Sequence, residues 1–167
     1  QAGINEYRSK LKKEKLSPNR YDVQVKEGER IIKHLFENLE YQLPKNSLSE
    51  KSLQKIQIGE AVIGGKLDRI DIVDGKYLRI VDYKTGKPLH NFETKDKIKS
   101  IQAWKHKLQL TFYALLAINH PEFNMFKDIE GQMVYLHAEK PNELTLSYAP
   151  TDEDIDRLSR LIQSTWS

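Results

Sequence analysis

Two runs that read as buried β-strand carry acids and a lysine inside them, and this conflict constrains the chain more than any other feature. Ile56 to Val73 alternates through Ile56, Ile58, Val62, Leu67, Ile70 and Ile72, and after the turn pair Asp74-Gly75 a second run goes from Tyr77 to Tyr83. Asp68, Asp82 and Lys84 sit within or directly after these runs. Asp and Lys are poor strand residues, and a buried carboxylate is costly unless it is paired or holds a metal.

Hairpin register decides whether the two aspartates meet, because side chains alternate faces with period two. A two-residue Asp74-Gly75 loop pairs Val73 with Lys76 and sets them on opposite faces. A three-residue loop of Asp74, Gly75 and Lys76 pairs Val73 with Tyr77 and puts Asp68 opposite Asp82. A Val73-Asp74-Gly75 loop with Gly75 as a left-handed bulge makes them diagonal neighbours. One of the two registers that bring the aspartates to one face is expected, and Lys84 then points the same way. Two such carboxylates can hold a hard cation such as Mg2+, which takes oxygen ligands and keeps several waters. A lysine beside it could position an attacking water and offset charge on a phosphate oxygen. A salt-bridge ladder on a solvent-facing strand pair would use the same three residues.

Elsewhere the pattern is α/β. Apolar positions from Asp22 to Leu43 recur at helical spacing, Pro44 ends that helix, and Lys45 to Gln54 reads as a polar connector. Lys84-Thr85-Gly86-Lys87-Pro88 closes the second strand, and a loop runs to about Lys99. A helix from Ile101 to Asn119 follows, then strands at Gly131–Ala138 and Leu144–Tyr148, then a helix opened by the capping box Thr151-Asp152-Glu153-Asp154. The order α-β-β-α-β-β-α argues for a central mixed sheet flanked by helices. A length of 167 residues suits a single domain, with residues 1–20 as an exposed or partly ordered segment. The Gln start suits a piece excised from a longer chain.

Zero cysteines exclude a disulfide framework, a cysteine nucleophile, a Cys-based zinc site and a cysteine-ligated iron–sulfur cluster within this sequence. Any metal is therefore held by oxygen and imidazole. The net charge of +3 does not by itself identify a partner. With no signal-like or bilayer-length apolar run, a soluble, cytoplasmic protein with no membrane partner is expected.

The combination Gly65-x-x-Asp68-Arg69-x-Asp71, then Val81-Asp82-Tyr83-Lys84-Thr85-Gly86, then Gln109-x-x-x-Tyr113 resembles the PD-(D/E)XK nuclease superfamily, and in particular the RecB-type nuclease domains attached to DNA helicases and related exonucleases. The resemblance covers about Gly28 to Tyr113. It implies a restriction-endonuclease-like core, with Asp68, Asp82 and the Tyr83 carbonyl binding Mg2+ or Mn2+ and Lys84 as the catalytic lysine. It implies that Gln109 and Tyr113, one helical turn apart, reach the site, and that Arg69 and Thr85 contact DNA. His34 would be a further metal ligand, although the gap from Gly28 is longer than the family pattern. His90, His106, His120 and His137 show no ligand spacing and read as solvated or structural. Lacking cysteine, the chain is closer to the cluster-free branch.

Lys97, Lys99 and Lys105 belong to a basic segment around Trp104, which could track a phosphate backbone while Trp104 stacks on an unpaired base. Gly59 to Leu67 looks like a P-loop but has an extra Gly before Lys66 and Leu67 where Ser or Thr is required, so no motor is encoded. The expected function is a metal-dependent DNA exonuclease domain serving a helicase in repair or recombination. A catalytically idle nuclease-like binding module, or a site-specific endonuclease or junction resolvase, would occupy the same core.

Overall fold

The computed structural model describes residues 2–38, 44 and 46–166. The chain divides into two compact units, Gln1–Gln42 and Leu43–Ser167. The first unit contains α1 (Ala2–Leu11) and α2 (Pro18–Asn38). Residues 1–20, expected as an exposed segment, thus supply a helix of their own. Ile4, Tyr7 and Leu11 are its half-buried positions, and the spacing of three and four residues makes them one stripe. The Tyr7 hydroxyl donates to the Gln24 carbonyl at 2.8 Å, and Arg8 pairs with Glu29. The Tyr7 ring lies where a side chain at Gly28 would have to go, so this glycine lets α1 approach α2. The described part of α2 starts four residues earlier than expected, at Pro18, whose fixed φ suits a first helical position. The expected end at Leu43 falls outside the described residues.

The second unit is a five-stranded mixed sheet of β1 (Ser47–Ile58), β2 (Ala61–Val73), β3 (Tyr77–Lys84), β4 (Ile129–Tyr135) and β5 (Thr145–Tyr148), in spatial order β1-β2-β3-β4-β5. All neighbours are antiparallel except β3 and β4. That parallel pair requires a crossover, supplied by α3 (Lys97–Ile118), and α4 (Asp152–Trp166) closes the unit. The architecture is the expected α/β restriction-endonuclease-like one.

Two expectations are corrected. The segment from Lys45 to Gln54, read as a connector, is mostly β1, and the single run Ile56–Val73 is the end of β1, a turn and β2. The turn is carried by Gly59 at φ +60°, a left-handed conformation that glycine adopts without a Cβ penalty. Polar, charged β1 hid its strand character because alternation is broken where the register shifts between Leu53 and Ile56, with Lys55 at φ +60°.

α3 begins at Lys97 rather than Ile101 because Asp96 caps it, its carboxylate accepting from the Ile98 and Lys99 amides at 2.9 and 3.0 Å. The capping box of α4 is present in both directions, Asp154 N–H to Thr151 Oγ1 and Thr151 N–H to Asp154 Oδ2. Leu53, Leu67, Ile70, Leu78, Ile80, Leu115, Leu116 and Phe123 form the core of the second unit. Two glycines let α3 lie close on the sheet. A Cβ at Gly65 would come within 2.9 Å of Leu116 Cδ1, and one at Gly131 within 2.8 Å of Leu110 Cβ. Leu110 Cβ is fixed to the helix backbone, so α3 itself must move to admit a methyl group. Gly131→Ala is therefore expected to cost about 1–3 kcal/mol by overpacking, read as a lowered midpoint in urea unfolding with an unchanged slope.

Candidate active site

The β2–β3 ladder pairs Val73 with Tyr77, Ile72 with Leu78, Ile70 with Ile80 and Arg69 with Val81. This is the register of the three-residue loop. Asp74 and Gly75 both take positive φ, and the Lys76 amide donates to the Val73 carbonyl at 2.9 Å, so Lys76 becomes the extra residue. By parity Asp68 and Asp82 share the face of Ile70 and Ile80, and Arg69 and Asp71 lie on the other. The ladder ends at Arg69–Val81. One residue beyond, the Asp68 side chain takes over the pairing role, its Oδ2 accepting from the Tyr83 amide at 2.9 Å.

Asp82 is 4% exposed. Lys84 Nζ lies 2.7 Å from its Oδ2, two residues on and therefore on the same face. Gln109, reaching down from α3, joins both: its Nε2 donates to Asp82 Oδ1 at 2.8 Å, and its Oε1 accepts from Lys84 Nζ at 2.7 Å. The same Nε2 lies 2.8 Å from the Tyr113 hydroxyl, which is 3.3 Å from Asp82 Oδ1. Burial pushes the Asp82 carboxyl above its ordinary range; the Lys84 ammonium opposes this, and the Asp68 charge adds to it. Burial likewise raises the Tyr113 phenol, so Tyr113 stays protonated and can donate.

Two adjacent hard-oxygen donors suit a divalent cation. Asp82 Oδ2 is enclosed and meets no partner at hydrogen-bond angles, its close approach by Lys84 notwithstanding. Among the described residues no three His, Cys, Asp or Glu side chains converge as a cage. An ion at Asp68 and Asp82 would therefore be completed by main-chain oxygen and water, as Mg2+ tolerates. The Tyr83 amide faces Asp68, and a strand residue presents its N–H and C=O to the same edge. His34 is half-buried on α2 in the first unit.

A profile of the PD-(D/E)XK nuclease superfamily matches residues 4–167. The chain belongs to that superfamily. No curated protein matches its sequence. Among solved structures it is similar to a candidate exonuclease from Eubacterium rectale, with 12% identity, a TM-score of 0.49, and coverage of 98% of this chain and 63% of that one. It is also similar to a protein called SSO0001, with 17% identity, a TM-score of 0.41, and coverage of 90% and 61%. The chain thus spans less than two thirds of either neighbour.

The residues expected at DNA separate. Thr85 and Lys99 line a cleft of about 430 Å³ past the end of β3, together with Lys87, His90, His137 and Glu139. Lys97 and Lys105 are exposed, and Trp104, 60% exposed, borders a different groove beside Lys107, Tyr148 and Arg157. Arg69 is a correction. It is 5% exposed, with Nε 3.1 Å from Asp71 and Nη1 donating to the Tyr83 hydroxyl at 2.6 Å. A guanidinium spent inside the domain does not reach a phosphate.

His106, read from the sequence as solvated or structural, lies beside the site. It stands three residues before Gln109 and seven before Tyr113, on one helix face, and its Nδ1 lies 3.1 Å from the Tyr135 hydroxyl. Tyr135 is fully buried, and its phenol is pushed up to about 12. Burial, then the Lys84 charge, pushes the His106 imidazole below its ordinary 6.5. The folded state thus binds fewer protons than the unfolded one between the depressed and ordinary values, so stability is lost as pH falls through that window. In melts from pH 7.5 to 4.5, His106→Gln should lose less stability than the parent as pH falls through 6.5.

Proposed function

We propose that this chain is a Mg2+- or Mn2+-dependent deoxyribonuclease domain of RecB type that acts from strand ends and serves a helicase motor in DNA repair or recombination. The observation that carries the chemistry is the convergence of Asp68, Asp82 and Lys84 on one face of β2 and β3, bridged by Gln109. The end-directed activity and the helicase rest on the motif likeness.

Asp68 and Asp82 would hold the cation, with the Tyr83 carbonyl and, in the family pattern, His34 as further ligands. When bound, the ion lowers the pKa of a coordinated water and draws negative charge from the scissile phosphate. Lys84 orients the nucleophilic water and stabilises charge developing on the phosphate oxygens. Gln109 holds the ammonium and carboxylate in register beside each other, because one amide group accepts from the first and donates to the second. Tyr113 donates toward Asp82 Oδ1 and restricts its rotation. Thr85 and Lys99, which line the cleft beyond β3, would with Lys97 and Lys105 take the flanking phosphates, and Trp104 would stack on an unpaired base.

Incubation with linear and closed-circular DNA, with and without Mg2+ or Mn2+, tests the reading. Metal-dependent degradation of linear DNA alone is expected. Asp82→Ala should abolish it, Lys84→Ala lower the rate about 10²–10³-fold, and Gln109→Ala about 10–100-fold. Cleavage without metal, or unchanged cleavage in Asp82→Ala and Lys84→Ala, would refute the mechanism; nicking of circles would point to an endonuclease.

DNA contact is separable from chemistry in the Asp82→Ala background. Replacing Lys97, Lys99 and Lys105 by Ala should reduce the slope of log affinity against log salt by about one for each phosphate no longer neutralised. Trp104→Ala should weaken single-stranded binding by about 1–3 kcal/mol and leave duplex binding nearly unchanged, as measured by fluorescence anisotropy.

A further inference from the structure

A second polar cluster lies on the opposite face of β2 and β3 from the two aspartates. Asp71 is fully buried and Arg69 nearly so, and they pair at 3.1 Å. Ser47 Oγ donates to Asp71 Oδ1 at 2.6 Å. The Arg69 guanidinium in turn donates to the Tyr83 hydroxyl at 2.6 Å and lies 5.7 Å from the centre of its ring. Buried ion pairs seldom add net stability, since replacing both partners with apolar groups is often neutral or favourable. Fold stability alone therefore gives little reason for this cluster, and its location is informative.

Main-chain pairing between β2 and β3 stops at Arg69–Val81, two residues short of Tyr83. Beyond that point two side-chain links between these strands involve Tyr83. On one face Arg69 grips its hydroxyl, and on the edge Asp68 accepts from its amide. Tyr83 is half-buried, and its backbone links Asp82 to Lys84.

We propose that Arg69, braced by Asp71 and Ser47, is a positioning residue that clamps the Tyr83 side chain and so holds the Tyr83 main chain against Asp68 in the geometry that receives the divalent cation. This rests on the metal-dependent reading above. Arg69 touches neither substrate nor ion; it acts through the tyrosine. Lysine at position 69 cannot reproduce the clamp, because one ammonium lacks the planar fork that serves Asp71 and Tyr83 together.

The test uses the full chain without DNA. Mn2+ binding is measured by titration calorimetry, and exchange of the residue-83 amide is followed by NMR against the strand amides of Ile80 and Val81, for the parent, Tyr83→Phe, Arg69→Lys and the double variant. Tyr83→Phe removes one hydroxyl and serves where Arg69→Lys is poorly folded. The expected result is Mn2+ binding about tenfold weaker in Tyr83→Phe. Exchange at residue 83 should be faster while Ile80 and Val81 stay protected, with no further loss in the double variant because both changes break one link. Mn2+ affinity within twofold of the parent, or deprotection spread equally over residues 80, 81 and 83, would overturn the positioning role. A parent that binds no Mn2+ would overturn the nuclease reading itself, whereas a parent that binds beside variants that bind equally well would overturn only this proposal.

Discussion

The buried carboxylate of Asp82 is the constraint on which the rest of the site depends. Removed from water, it needs opposite charge and donors close by, and the chain supplies them from two directions. Lys84 follows on the same strand and Gln109 and Tyr113 descend from the crossover helix, while Asp68, a like charge, stands across the hairpin. Asp68 makes Asp82 harder to ionise, while Lys84 makes it easier. Two acids kept this close with one lysine form an electrostatically unresolved site, and a divalent cation would resolve it.

That arrangement requires α3 at a fixed height above the sheet. Gln109 bonds both Lys84 and Asp82 because Leu110, the next residue, is seated on the bare backbone of Gly131. Asp96 sets where the helix begins, and Gly65 admits Leu116 farther along it. Local capping and close packing thus fix the geometry of a polar network several turns away. The two faces of the hairpin also divide the labour. One carries the acids and Lys84, and the other carries the Arg69–Asp71–Ser47 cluster that grips Tyr83.

Much of this was legible in the sequence, and the exceptions have physical reasons. Apolar runs and turn signals located β2, β3, α3 and α4. They missed β1, whose polar residues and mid-strand irregularity at Lys55 break the alternation. They left α1 as a tail, because three apolar residues make a weak stripe until Gly28 offers them a place to pack. The motif residues Asp68, Asp82, Lys84, Gln109 and Tyr113 come together as their spacing implied. Arg69 does not join a DNA surface. Its neighbour in the motif, Asp71, is buried on the same face, and a buried acid two residues away captures the guanidinium.

The sequence by itself determined the family, the alternation that makes β2 and β3 strands, and the identity of the acids and the lysine, since these depend on residue type and local period. It left two registers that would bring the aspartates to one face. Only the tertiary structure chose between them, because a shift of two residues leaves every side chain on its face, so the alternation cannot tell whether Lys76 or Val73 is spent in the loop. The tertiary structure also decided that Gln109 bridges Lys84 to Asp82, that His106 meets Tyr135, and that Arg69 holds Tyr83. Those are contacts between residues 14 to 29 positions apart in the chain, and no local pattern encodes the distance across a packed sheet.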